Sequence, residues 1–153
     1  MATVYSAQRT NALAIPSVNN KPNEFAGRIR VAHGTYEAAS LAADSVIEMF
    51  VLPDGARLLE GSLAHDALGS STTLSVGYAA HTNAAGTAVS AAAAAYKAAA
   101  ASTSAQKVDI LATLALGSGA EVDANEDGMP VTVTLAGATG TGTIELTVFY
   151  VVD

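Results

Sequence analysis

The sequence predicts an all-β protein, a two-sheet β-sandwich with an extended N-terminal arm and one short Ala-rich helix in a long loop. Three observations predict this fold class. Apolar and polar residues alternate in several short runs, as expected for half-buried strands. Turn sequences rich in glycine and aspartate separate the runs. The runs number about seven or eight, which suits two packed sheets.

The alternation is clearest near the end of the chain. In "TIELTVFYVV" one face carries Ile144, Leu146, Val148, Tyr150 and Val152, while Thr143, Glu145 and Thr147 begin the other. Similar alternation occurs in "VTVTL", "KVDILATLAL", "TTLSVGY" and "RIRVAH". The run "SVIEMFVL" is apolar on both faces apart from Glu48, which predicts a central strand.

The segments between the runs have the composition of turns. "LPDGA", residues 52–56, places Pro53 at the second position of a turn and follows it with Asp-Gly, which tolerates a positive φ. "LGSS", "LGSGA", "DGMP" and "AGATGTGT" have the same character. The last of these feeds a strand and lacks the G-K-[ST] ending of a phosphate-binding loop, so we interpret it as a hairpin loop.

Two segments interrupt the strand pattern. Residues 9–24 are polar and contain Pro16 and Pro22, so we expect residues 1–24 to form an extended arm and residues 25–153 to form the sandwich domain. Residues 84–101 are mostly alanine, the best helix former, and Ser90 is a suitable N-cap. We therefore predict a short helix from about residue 90 to 101 in a crossover loop.

Composition excludes several classes of function. The formal net charge is −7, with seven Lys and Arg against fourteen Asp and Glu, which argues against nucleic acid and anionic membranes as partners. The chain has no cysteine, so thiolate chemistry and disulfides are absent. The N-terminus does not match a secretory signal, and we expect synthesis in a cytoplasm. The abundance of alanine predicts a thin core that would gain from assembly.

The stretch "DANEDG", residues 123–128, matches the opening of a calcium loop, with Asp123, Asn125 and Asp127 at alternate positions. A complete EF-hand loop needs a glutamate at its twelfth position, which here is Thr134. Two interpretations stay open. The stretch is either a polar turn closed by Asp-Gly, which we favour, or a calcium site completed by oxygens from a neighbouring loop or subunit.

No set of residues predicts catalysis. His33, His65 and His81 lie far apart, and none has the spacing of a zinc protease motif. The pair His65–Asp66 is not accompanied by a nucleophile elbow. We expect His33 to be a core or interface residue and the protein not to be an enzyme. Arg28 and Arg30 share a strand face, which suits either solvent or an acidic partner surface.

Residues 27–80 contain a strand ending in "LP", a "GA" turn, a strand leading to "ALG" and then "TTLSVGY". Together with the last strand "IELTVFYVV", this region resembles small virion proteins of tailed bacteriophages, the capsid decoration or cement proteins. The resemblance implies a jelly-roll-like body on the exterior of a capsid in the virion, assembled in the host cytoplasm. It implies the major capsid protein as partner and a homotrimer as oligomer.

Two other functions remain as alternatives. One is a low-copy head–tail connector or tail protein of the same virion. The other is a carbohydrate- or calcium-binding adhesion module, because jelly rolls commonly carry such sites. Against the sugar site, the tyrosines are scattered, and Tyr96 alone lies clearly outside the predicted strands.

Overall fold

The computed structural model describes residues 4–152, and strands dominate this range. One short α-helix, α1, spans Ala7–Leu13 near the N-terminus. A single 3₁₀ turn spans Leu114–Leu116. The strands are β1 (Ile29–Leu41), β2 (Val46–Leu52), β3 (Arg57–His65), β4 (Thr73–Tyr78), β5 (His81–Thr82), β6 (Ala88–Val89), β7 (Ala92–Ala101), β8 (Gln106–Ile110), β9 (Met129–Ala136) and β10 (Gly140–Val151).

Eight of these strands form two four-stranded antiparallel sheets. The first sheet has the order β1-β10-β3-β8, and the second has the order β2-β9-β4-β7. The short strands β5 and β6 form a separate hairpin. Because β1 to β4 alternate between the two sheets and β7 to β10 return beside them, the topology is that of a jelly roll. The fold class predicted from the sequence is confirmed.

The core lies between the two sheets and is built from the alternating residues of their inner faces. In β10 the inward side chains are Ile144, Leu146 and Val148, as the sequence pattern predicts. Across the sandwich, the most buried residues of β9 are Val131, Val133 and Leu135. These branched aliphatic side chains, rather than aromatic rings, fill most of the interior.

The predicted helix in the Ala-rich segment is wrong. Residues 92–101 form the edge strand β7, which pairs with β4. Intrinsic helix propensity is overridden here because β7 completes the second sheet and buries Tyr96, which an isolated alanine helix could not do. Gly77 permits this pairing, since a Cβ on it would collide with the backbone carbonyl of Ala92.

Two further expectations are corrected. The segment Val46–Leu52 is an edge strand and not a central one, and its exposed Val46 and Val51 explain why both faces are apolar. The arm is not extended throughout, because α1 lies within it, with Ser6 as its N-cap. No helix in residues 4–152 is long and apolar enough to cross a membrane.

Replacing Tyr96 with alanine tests the assignment of β7 as a strand. Tyr96 is buried, and its hydroxyl lies 3.3 Å from the sulfur of Met129. We expect Tyr96→Ala to lower the free energy of unfolding by about 3–5 kcal/mol, the usual cost of deleting a buried aromatic ring. The exposed Tyr5 provides the control, and Tyr5→Ala should change stability by less than about 0.5 kcal/mol. Equal effects of the two substitutions in urea unfolding would contradict the assignment.

Candidate interaction site

The arm folds back on itself through polar contacts. Asn11 Nδ2 donates to Asn20 Oδ1 at 3.1 Å, and Asn20 Nδ2 donates to the carbonyl oxygen of Gln8 at 3.2 Å. Gln8 Nε2 in turn donates to Glu24 Oε2 at 3.1 Å. These polar side chains therefore hold α1 against the returning segment of the arm.

The apolar side chains of the arm point away from these contacts. Helix α1 has no buried residue. Ile15 is 98% exposed, and Leu13 and Val18 are each about half exposed. Val4 and Tyr5 are also exposed. Several exposed apolar side chains in one short segment are the kind of surface that a partner can cover.

The base of the arm is fixed to the sandwich by an ionic cluster, the arm clamp, formed by Lys21, Glu24, Arg57 and Glu121. Lys21 Nζ lies 2.9 Å from Glu121 Oε1. Arg57 Nη2 lies 3.1 Å from Glu24 Oε1 and 3.0 Å from Glu121 Oε2. Beside the clamp, Asn23 Nδ2 donates to the carbonyl oxygen of Gly55 at 2.9 Å.

The electrostatics of the clamp favour its charged state. The hydrogen bond from Lys21 is the largest influence on Glu121 and lowers its pKa. Desolvation is the next largest and opposes it, while the charges of Lys21 and Arg57 lower the pKa further, so the net direction is downward. Because the pKa of Glu121 is lower in the folded protein, this contribution is present above the unfolded pKa and is lost as the pH falls through the folded value. The clamp therefore persists at neutral pH.

The outer face of the first sheet carries an apolar cluster, the outer patch, formed by Ile29, Val31, Leu59 and Phe149. Val31 and Phe149 are direct cross-strand partners, and Ile29, Leu59 and Phe149 line one shallow depression together with Glu60. Val31 is 57% exposed and Phe149 is 37% exposed. These exposed apolar side chains lie close together at one end of the face.

Acidic residues occupy several other positions on the outer face of this sheet. Glu60 pairs with Phe149 across the strands, and Glu145 pairs with Thr35, so both project from the outer face. Glu37 and Asp109 occupy outward positions by the same register. Two basic residues of the described chain share this face: Lys107, and Arg57, whose partner Val151 also pairs with Ile29 of the patch. The apolar patch therefore lies at the end of the sheet where β1 begins and β10 ends, and the acidic positions follow along the face.

The side chains of "DANEDG" make contacts within and around their own loop. Asp123 Oδ1 accepts from the backbone N–H of Ala84 at 3.0 Å. Asn125 Nδ2 donates to Asp127 Oδ2 at 2.9 Å, and Asn125 Oδ1 accepts from the Asp127 N–H at 3.1 Å. Gly128 has φ +78°, and a Cβ there would lie 2.7 Å from the carbonyl oxygen of Leu52. The loop, which precedes β9 in the chain, contacts the β5–β6 hairpin on one side and the end of β2 on the other.

This geometry brings Asn125 and Asp127 together, while Asp123 is directed to the hairpin. Within residues 4–152, no group of three or more His, Asp or Glu side chains is arranged to hold a metal ion. Asp123 Oδ1 and Asn125 Oδ1, two of the oxygens that a calcium ion could use, already accept backbone hydrogen bonds. The contacts support the interpretation as a turn, and the calcium site remains a prediction for the experiment below.

The three histidines occupy separate places. His65 is buried, and its Nδ1 donates to the backbone carbonyl of Asp66 at 2.7 Å, not to the Asp66 carboxylate. His81 packs edge-on against Tyr78, with ring centroids 5.4 Å apart. His33 is exposed on the outer face between Thr35 and Thr147, so its expected place in the core is wrong. An interface role for His33 stays a prediction.

Sequence reasoning did not identify the outer patch. The alternation in "RIRVAH" puts Ile29 and Val31 on one strand face, as observed, but period-2 alternation does not say which face is buried. Nor did the pattern of β10 single out Phe149. The informative signal was available in the sequence: Phe149 interrupts a polar face that otherwise carries Thr143, Glu145 and Thr147.

Comparison with known proteins places the fold among chains of phage capsids. No protein-family model matches the chain, and no relative is found among curated proteins. A chain in the capsid of Ralstonia phage GP4 is 24% identical with a TM-score of 0.65, over 83% of this chain and 86% of that one. A chain in the capsid asymmetric unit of cyanophage Pam1 is 20% identical with a TM-score of 0.63, over 100% of both.

A third structure, the acidic stable capsid of Helicobacter pylori bacteriophage KHP30, contains a chain with 16% identity and a TM-score of 0.53. The alignment covers 81% of this chain and 87% of that one. At these identities the comparisons show a shared fold. In each case the alignment extends over most of both chains, so the likeness includes the whole sandwich rather than one sheet.

Thermal unfolding with and without calcium tests the "DANEDG" loop. We expect the melting temperature to be unchanged in millimolar calcium, because the loop oxygens already accept backbone hydrogen bonds. A site of useful affinity would raise the melting temperature by several degrees, since a ligand that binds only the folded state stabilises it. Asp127→Asn serves as the control and should abolish any such increase. An increase that Asp127→Asn removes would establish the calcium site.

Proposed function

We propose that this chain is a structural virion protein that binds the outside of a phage capsid shell and stabilises it, as a cement or decoration protein. The observation that carries the proposal is the jelly-roll fold shared with chains in three phage capsids over most of their length. The major capsid protein is the proposed partner, and a homotrimer is the proposed oligomer. Residues 1–24 would act as the arm and residues 25–153 as the domain.

The exposed apolar surface of the arm supports this function. Its polar groups are hydrogen-bonded to one another, which leaves Leu13, Ile15 and Val18 available for a neighbour. Burial of such side chains contributes about 25 cal/mol per Å² of apolar area removed from water. The arm clamp keeps the base of the arm in a fixed direction, so less conformational entropy is lost when the arm is bound.

Stabilisation of a shell follows from mass action. A protein that binds only the assembled shell shifts the equilibrium toward that state. When one oligomer contacts several shell subunits, each further contact forms at a high effective concentration, so modest single contacts give strong attachment. A cyclic trimer on a local threefold axis satisfies this geometry because its symmetry matches that of the lattice.

The low-copy connector or tail protein is the second function compatible with this fold. It differs from a cement protein in abundance rather than in chemistry, because both roles use surfaces that bind other virion proteins. Residues 4–152 contain no assembled metal site that would support the alternative of a calcium-binding adhesion module. Abundance in the particle therefore separates the two virion roles.

Copy number in purified particles tests the proposed function. For a cement protein we expect a fixed simple ratio to the most abundant shell protein, because each lattice position offers the same binding site. Quantitative mass spectrometry of particles from the source phage measures this ratio. About a dozen copies or fewer would assign the chain to the connector or tail, and absence from particles would exclude a virion role.

Removal of residues 1–20 tests the contribution of the arm to shell binding. The truncated chain retains the clamp residues Lys21 and Glu24, and α1 buries no residue, so the sandwich should keep its melting temperature within a few degrees. We expect it to lose binding to shells that lack this protein, measured by co-sedimentation. Val46→Asn, an exposed change on the second sheet, is the control and should bind normally. Full binding by the folded, truncated chain would contradict the role of the arm.

A further inference from the structure

We propose that the arm is a strap that the arm clamp holds against the sandwich by charge, and that it swings free about Ala26 and Gly27 when the clamp is screened or neutralised. The sandwich stays folded when the arm is released. This motion belongs to the free molecule, so it does not depend on binding to a shell and is measured without one.

Apolar burial does not hold the arm to the sandwich. None of residues 4–26 is buried, and the backbone hydrogen bonds that these residues make lie within the arm. Within the described chain, the polar contacts from the arm to the sandwich come from Lys21, Asn23 and Glu24. The attachment of the arm therefore lacks the hydrophobic contribution that stabilises the two sheets.

Two of these three contacts are ion pairs. Lys21 reaches Glu121, and Glu24 reaches Arg57. The Lys21 side chain is 62% exposed and the Glu24 side chain is 25% exposed, so water and dissolved ions reach both pairs. Because Arg57 also pairs with Glu121, the four charges form one network, which holds better than isolated surface pairs but is still screened by salt. The clamped position of the arm thus depends on ionic strength.

The residues that join the arm to β1 have the properties of a strained hinge. Ala26 has φ +70°, a left-handed conformation that is unfavourable for a residue with a Cβ. A Cβ on Gly27 would collide with Val151 and would lie 2.7 Å from the carbonyl oxygen of Pro22. Return of Ala26 to an extended conformation redirects the whole arm, so relief of this strain favours release.

The two positions of the arm are favoured by opposite features. The charge network favours the clamped position, whereas the strain at Ala26 and the conformational entropy of a free segment favour release. Once released, residues 4–26 form a flexible chain that spans about 25 Å on average. The exposed Leu13 and Ile15, which keep one position in the clamped arm, then sample a wide region around Gly27.

Backbone order parameters of the full-length chain, measured by NMR at neutral pH, test this motion. The clamp variant carries Lys21→Gln and Glu24→Gln, which removes both ion pairs of the arm and leaves the net charge of the chain unchanged. The pair between Arg57 and Glu121 remains, so the sandwich keeps its own ionic contact and should fold. The wild type in high salt provides a second measurement that needs no substitution.

The matched control carries Arg9→Gln and Glu126→Gln, the same change of charge at two exposed residues outside the clamp. In low salt we expect order parameters of about 0.85 for residues 8–20 of the wild type and the control, and of less than about 0.6 for the clamp variant. Salt at about 1 M should release the wild-type arm as well, because the Debye length falls to about 3 Å. Strands β3 and β10 should keep values of about 0.85 throughout.

Ala26→Gly gives a separate readout of the hinge. It removes the strain of the clamped position, so it should raise the salt concentration at which the arm is released. A clamp variant whose arm stays as ordered as the sandwich would overturn the proposal, as would a wild-type arm that is already mobile in low salt. Loss of order in β3 and β10 together with the arm would also overturn it. Release of the Ala26→Gly arm at a lower salt concentration would overturn the assignment of the hinge.

Discussion

The register of β10 between β1 and β3 determines which side chains of the first sheet meet the core and which can meet a neighbour. With Ile144, Leu146 and Val148 inside, the intervening residues must point outward, and Phe149 then faces Val31 on the outer surface. A shift of one residue would exchange the two faces completely. The burial of three aliphatic side chains therefore places the outer patch, although none of the three belongs to it.

The arm reverses the usual arrangement of polar and apolar groups. In the sandwich, apolar side chains are inside and polar ones face solvent, whereas in the arm Asn11 and Asn20 bond to each other and Ile15 is exposed. Such an arrangement is unfavourable for an isolated monomer, because apolar surface stays in water. It is favourable once a partner covers that surface, and the clamp between Glu24 and Arg57 presents the arm in one direction.

Most strands could be predicted from the sequence because alternation and turn residues agree in them. The strand in the Ala-rich segment could not be predicted, because alanine on both faces gives no alternation of polar and apolar residues. Tyr96 is the one large apolar residue that marks this strand. Burial of Tyr96 against the second sheet outweighs the helix propensity of its neighbours. The arm boundary was inferred from Pro16 and Pro22, but its outward apolar surface depends on hydrogen bonds between residues distant in sequence, which no local pattern reveals.

The distribution of charge limits how closely copies of the sandwich can approach one another. Residues 25–153 hold five of the seven bases and thirteen of the fourteen acids, a formal charge of −8, so sandwich domains repel each other. The arm, residues 1–24, carries a formal charge of +1 and does not add to this repulsion. Charge repulsion acts over about 8 Å at physiological ionic strength, whereas apolar contacts of a side chain such as Ile15 act only at van der Waals distance. Close packing of several copies therefore requires apolar burial at short range that outweighs a repulsion acting from further away.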